Sequence, residues 1–465
     1  MGSRPLILMA LFTLGLPLAC ANPGDEGGSG GQTGGTGTGG TGTTTPGTGG
    51  STTGSGGSAS GTGGGAGGST TPRGTGGSTV GTGGSAIGIG GRAGGFGGGP
   101  MVAPLDCGAM GQALENHGPP ANRVNYVIVA DGYSAADLAP NGTLDKHLQA
   151  AMAKRFSEPY GQPYLRYRNF INICVLRMPS TPICGSSLFG CCGNDTSRLA
   201  NCNTTTVNNA IRTNLPASFE VDWRAVVLNG SSWWNSGGVP MMWSGGNSDG
   251  PAAALHEGGH GFNSVSDEYG NCEQGRVSSE ATYGVNVSLM NGNSGGKWEG
   301  WLGFNQTPGT GVQGFNACDG GATWRPSQNS MMNSLFGTNP NTSYNPVTRE
   351  KIIMDIWRAV VLPYDSLEPP AGAVTNPAML KVNVIDPAVI NVDWTVDGTV
   401  TRNGGPTLAT AGLASGTHTI TARAYDNAGT DLVRQVPGTT FNRQYWGTGA
   451  MGHSDKTVTW TVTIP

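Results

Sequence analysis

Between residues 22 and 100 the chain places 37 glycines, 16 threonines and 8 serines in 79 positions, and this tract limits the fold more than any motif does. Fixing a backbone costs about 1–2 kcal/mol per residue, and a segment with almost no apolar side chains has nothing to set against that cost. It carries four charges, Asp25, Glu26, Arg73 and Arg92. Residues 21–100 are therefore expected to be a disordered Gly/Ser/Thr linker, with a random-coil reach on the order of 50 Å. A core has to come from the residues after 100, a length that suits two ordinary domains better than one.

Ahead of the tract, Arg4 precedes an apolar run from Leu6 to Leu18, 13 residues long. A bilayer crossing takes about 20 residues, so residues 1–20 read as an export signal peptide. Pro17-Leu18-Ala19-Cys20 resembles the box before a lipid-modified cysteine, and Ala19-Cys20-Ala21 would serve an ordinary small-x-small cleavage. The lipoprotein reading gives the long linker a use as a surface spacer. The expected location is the cell surface or outer membrane, with membrane contact only through a lipid anchor at Cys20; plain secretion is the alternative. Lys plus Arg number 25 against 29 Asp plus Glu, a net charge of −4 without a basic cluster, which argues against a nucleic-acid partner.

Either cleavage removes Cys20 from thiol chemistry and leaves Cys107, Cys174, Cys184, Cys191, Cys192, Cys202, Cys272 and Cys318. An even set in an exported chain predicts disulfides. The adjacent Cys191 and Cys192 are expected to bond to different partners. A zinc knuckle is the competing reading, but Cys184, Cys191, Cys192 and Cys202 lack its CxxC spacing.

Residues 101–365 read as one layered α/β (α+β) domain. Strands are predicted at Asn125–Ala130, Phe170–Leu176 and Arg224–Leu228, and helices at Leu144–Phe156, around Ser248–Ser264 and at Thr348–Val361. The stretch 184–220 looks like an irregular, disulfide-pinned excursion. After Pro363, Pro369 and Pro370, residues 371–465 alternate with period two, as in Val389–Val396, His418–Tyr425 and Thr457–Ile464. That pattern predicts an all-β immunoglobulin-like sandwich, expected to act as a spacer or binding module.

His256-Glu257-Gly258-Gly259-His260 is an HExxH sequence. Residues four apart share a helix face, so both imidazoles can reach one zinc ion, and Glu257 stands where it can act as general base toward water. A catalytic zinc takes a third protein ligand. No histidine follows His260 at close range, and Asp267 and Glu268, seven and eight residues on, are the acids available. Asn263 or Gly261 is expected to supply the left-handed residue that ends the helix. The Gly258-Gly259 pair costs on the order of 1–2 kcal/mol of helix propensity, and close backbone packing beneath the site is its expected compensation. Tyr269, Tyr283 and Tyr344 are candidate donors to an oxyanion.

The run from His256 to Tyr269 is similar to the HExGHxFxxLxDEY signature of the immunoglobulin A peptidase family, exported bacterial zinc metallo-endopeptidases with a metzincin-like core. Asp131-Gly-Tyr133, Phe156 with Pro159-Tyr160, and Phe170-Ile-Asn172 resemble the family's DGY, FxxPY and FN elements. Lys297-Trp298-Glu-Gly-Trp301 resembles its KWxxW segment, and Trp324-Arg-Pro-Ser-Gln-Asn-Ser-Met-Met332 its YRPSxxSxM segment. The resemblance covers most of residues 120–360 in order, and neither the linker nor the last 95 residues. It implies a zincin-type fold, Zn2+ held by His256, His260 and Asp267 with Glu268 as second choice, Glu257 as base, and Met332 in a turn beneath the metal. Metzincins in general place the third ligand six residues after the second histidine, where this chain has Ser266. Val265 replaces the signature's Leu, and Gly258 a usually bulky residue. The function implied is hydrolysis of a protein or peptide substrate outside the cell. The rival reading is a surface adhesin or glycan-binding lipoprotein with a structural metal.

Overall fold

The structure is a computed structural model that describes residues 103–269, 284–289, 297–304, 312–317, 323–334, 343–402, 405–429, 431–434 and 453–465. The signal, Cys20, the linker, Cys272, Cys318 and Tyr283 lie outside the described residues. Among the described residues, no helix is long and apolar enough to cross a membrane.

Six strands make the central sheet: β1 (Gly111–Glu115), β2 (Val124–Asp131), β3 (Ile171–Leu176), β6 (Trp223–Leu228), β7 (Asn235–Ser236) and β8 (Met241–Ser244), in the order β1-β3-β2-β6-β8-β7. The four inner strands are parallel, and the two outer ones run antiparallel to their neighbours. β2 and β3 are apolar almost throughout because the sheet is covered on both faces. Tyr126, Ile128, Ile173, Val175, Ala225 and Val227 point to one side. Val127, Val129, Cys174, Leu176, Val226 and Leu228 point to the other.

The first face is covered by helices α1 (Thr143–Arg155), α3 (Gly250–Asn263) and α4 (Pro346–Ala359). Helix α4 starts where Asn345 accepts the Thr348 N–H at 2.9 Å and Pro346 opens the first turn. The second face is covered by α2 (Thr204–Asn214) and by loops closed with the disulfides Cys107–Cys174, Cys184–Cys192 and Cys191–Cys202. Cys191 and Cys192 thus bond to different partners, as expected. The 184–220 stretch is more ordered than its composition predicts. It holds a short hairpin of β4 (Cys192–Gly193) and β5 (Ala200–Asn201), then α2, capped by Asn203 through the Thr206 N–H. The helix was illegible because Val207 and Ile211 are its two buried residues, too few to set a 3.6-residue period. Asp131 ties the excursion to the end of β2, accepting from the hydroxyls of Ser180 (2.6 Å) and Ser187 (2.8 Å) and from the Cys191 N–H (3.2 Å).

Strands β9 (Phe315–Asn316) and β10 (Trp324–Arg325) pair with each other. The remaining strands are β11 (Tyr364–Glu368), β12 (Gly372–Thr375), β13 (Met379–Val384), β14 (Ile390–Val396), β15 (Thr399–Arg402), β16 (Thr407–Ala409), β17 (Gly416–Asp426) and β18 (Asp455–Ile464). They form a three-stranded sheet β11-β13-β16 and a five-stranded sheet β12-β18-β17-β14-β15. Leu380, Val382, Trp394, Ile420 and Trp460 face inward and belong to the same buried cluster as α3 and α4. Polar contacts join the same parts. Arg123, fully buried, pairs with both Asp365 oxygens at 2.7 Å, and Asp426 accepts from Trp357 Nε1 at 2.8 Å and from the Tyr167 hydroxyl.

Candidate metal centre

Helix α3 carries His256 and His260 on one face and is ended at Ser264, one residue past Asn263 and three past Gly261. Ser264 takes the left-handed conformation (φ 53°), and the Val265 N–H returns to the Gly259 carbonyl at 3.1 Å. Asn263 is not the breaker because its side chain is committed inside the core. It accepts from the Tyr164 hydroxyl at 2.7 Å and donates to Asp355 at 3.0 Å. Gly261 stays helical with its α-carbon facing the Gly238 carbonyl and Met241. The reversal at Ser264 brings Asp267 back to the histidines.

Three ligand-type atoms meet there. Asp267 Oδ1 lies 2.9 Å from His256 Nε2 and 3.2 Å from His260 Nε2, and the two Nε2 atoms are 3.2 Å apart. Each ring's other nitrogen faces a backbone carbonyl: His256 Nδ1 donates to Met331 O at 2.8 Å and His260 Nδ1 to Val265 O at 2.7 Å. Those bonds place the protons on Nδ1 and turn both Nε2 lone pairs toward each other and toward a carboxylate. Three acceptors at such range repel unless a cation stands between them. Their separations approach the ~3.3 Å edge of a tetrahedron with ligands about 2.0–2.1 Å from zinc. Without a metal, a proton has to relieve the crowding. Burial opposes charge on His260, but the Asp267 carboxylate outweighs it and, with the negative charge of Glu257, raises His260 to about 9. Burial would raise Asp267, and the two imidazoles instead hold it well below the usual carboxylate range.

The expected alternative ligand, Glu268, faces elsewhere. Its carboxylate accepts from Asn286 Nδ2 (3.0 Å), Asn345 Nδ2 (2.8 Å) and Ser330 Oγ (2.6 Å), while its carbonyl accepts from Arg325 Nη1 (2.9 Å). Burial pushes its pKa up against those donors. Glu268 therefore joins the 284–289 segment, the Ser330–Met332 turn and the cap of α4, and that turn is the one whose Met331 carbonyl orients His256. Asn286 and Asn345 have no signal in the sequence, since nothing about an isolated Asn marks it as a partner of a residue tens of positions away; Arg325 lies in the Trp324–Met332 segment, which does not say what it contacts.

Met332 packs against α3 at Gly259. A Cβ on Gly259 would fall 2.7 Å from Met332 Sδ, and one on Gly258 2.8 Å from Trp223 Cζ2. The rigid Trp223 ring leaves no room for a side chain at Gly258, and Gly259 is in close contact with Met332 and Val265, packing that offsets their low helix propensity. Gly237, in the β7–β8 turn, packs directly on His260. Of the candidate oxyanion donors, Tyr269 stacks on His256 with centroids 6.1 Å apart. Tyr344 is fully buried and its hydroxyl donates to the Leu255 carbonyl inside α3, so it serves the helix and is removed from that role. Glu257 and His256 are fully buried, whereas the His260 side chain is 13% exposed and marks the open side of the cluster.

No protein-family model matches this chain, and no curated protein matches it at a significant level.

Proposed function

We propose that this chain is an exported zinc-dependent endopeptidase, a hydrolase of the immunoglobulin A peptidase family with a metzincin-like, zincin-type domain over 101–365 and an immunoglobulin-like sandwich over 371–465. The observation that carries the reading is the convergence of three acceptor atoms from His256, His260 and Asp267, with both Nδ1 protons fixed by backbone carbonyls. An imidazole pair with one carboxylate suits zinc, and three side chains leave a fourth position for water or substrate. Zinc held there would supply Lewis acidity toward a peptide carbonyl. Glu257, next to His256 on α3, accepts the proton of the attacking water and returns it to the leaving amine. Tyr269, at the His256 ring, is the remaining described candidate to donate to the developing oxyanion.

The test is metal analysis of the purified full chain together with cleavage-site mapping on a peptide library. Glu257→Gln should keep stoichiometric zinc and lose at least about 100-fold in cleavage rate; a variant cutting at the wild-type rate would sink the assignment. The signal and Cys20 extend the reading to a lipoprotein tethered by the glycine-rich linker, so Cys20→Ser should move the protein from the membrane to the soluble fraction.

A further inference from the structure

Beneath the metal-binding turn sits a buried cation that the proposed chemistry does not use. Arg155, in the last turn of α1, is 1% exposed. Its guanidinium carbon lies 4.4 Å from the Trp223 ring, 5.1 Å from Tyr164 and 5.4 Å from Tyr126. Trp223 is itself stacked against Tyr126 at 4.1 Å and against Phe262 of α3 at 4.9 Å. Nη2 donates to the Ala254 carbonyl at 3.0 Å. Among the described residues, Nε and Nη1 have no hydrogen-bond partner, and no carboxylate pairs with the charge.

Such a group is a poor way to gain stability. Taking a guanidinium out of water costs several kcal/mol, and a cation–π contact returns about 0.5–2 kcal/mol. An apolar side chain of equal volume would fill the box at lower cost. What an apolar residue cannot do is hold a carbonyl. In a regular helix the Ala254 carbonyl accepts the Gly258 N–H, so Arg155 adds a second donor to the bond that spans His256 and Glu257. This is the stretch that the two glycines leave with the lowest helix propensity. A Cβ at Gly258 would lie 3.6 Å from Arg155 Nη1 as well as against Trp223, so the box presses on the helix at the glycine itself.

We propose that Arg155 is a positioning residue for the metal centre: held in its aromatic box, it clamps the Ala254–Gly258 turn and thereby aims His256 at His260 and Asp267. The zinc half of this inference rests on the metal reading above; the helix half does not. Full-length Arg155→Met and Arg155→Lys are compared with wild type for the metal-free melting midpoint, amide hydrogen exchange, and Zn2+ affinity by chelator competition. Arg155→Met should melt no lower than wild type, yet exchange the Gly258–His260 amides about tenfold faster relative to β2 and β6. It should also bind zinc about tenfold more weakly, with Arg155→Lys, which keeps a donor, recovering part of both. Wild-type exchange at Gly258–His260, unchanged zinc affinity beside a zinc-binding wild type, or a uniform rise in exchange with a lower midpoint each overturns the assignment. If the wild type itself binds no zinc and exchange still rises locally, the clamp stands and the metal reading falls.

Discussion

The two faces of the central sheet are held by different means. On one, α2 and the irregular loops around it bury few apolar side chains, and three disulfides tie them down. On the other, α1, α3 and α4 pack through large aromatic and aliphatic side chains and a buried polar network, without a covalent link among the described residues. A disulfide acts mainly on the unfolded chain and places a loop only coarsely. Three acceptor atoms that meet at 2.9–3.2 Å need side chains locked by packing and hydrogen bonds. The stapled face is where the chain buries less core; the face with no disulfide among the described residues is the one that carries the His256–His260–Asp267 cluster.

The largest effect expected is on the stapled face. Cys107→Ser with Cys174→Ser opens a loop of sequence separation 67, which should cost about 4 kcal/mol in chain-entropy terms. Chemical denaturation would measure it, and zinc affinity under native conditions should be unchanged; a parallel loss of zinc would break the division between the faces. Next comes a pair of adjacent acids on the other face. Asp267→Asn should weaken zinc by more than about 100-fold, exceeding the loss of an outer partner. Glu268→Gln should instead cost about 1–3 kcal/mol of stability by disturbing three buried donors, with a smaller loss of metal. Equal zinc loss in both would mean that the 264–268 loop does not discriminate between them.

The last expectation concerns the pH dependence of the metal-free cluster at His260. His260 in the metal-free protein is raised from 6.5 to about 9. The stability it contributes is therefore fully present below pH 6.5 and lost as the pH rises through about 9. Asp267 is lowered, so its contribution is present above about pH 4 and lost as the pH falls toward its folded value. Melting curves of the metal-free protein from pH 6 to 10 should show the decline, and saturating zinc should remove it. An identical slope in both states would mean that proton and metal do not compete for the same atoms.

Strands β2, β3 and β6, helices α1, α3 and α4, and the long strands of the last 95 residues were legible in the sequence, because each is a run whose local pattern and burial agree. Helix α2 was not, its period resting on two buried side chains, and β11 fell among prolines that read as a boundary. At the candidate site, the HExxH spacing alone set His256 and His260 on one face. The separation of Asp267 from Glu268, the commitment of Tyr344 to Leu255 and of Asn263 to Tyr164 and Asp355, and the box around Arg155 were not legible, since each depends on partners from other elements.

Local sequence was enough to show that Cys191 and Cys192 would bond to different partners and which helix offers two imidazoles four residues apart. These come from adjacency and from a period of 3.6 residues, which are properties of the chain over a few turns. Which acid turns toward those imidazoles, and why two glycines are tolerated beside them, follows from the fold. Those answers depend on contacts between residues far apart in sequence, such as Glu268 with Asn345 and Gly258 with Trp223, and no local pattern encodes a contact of that kind.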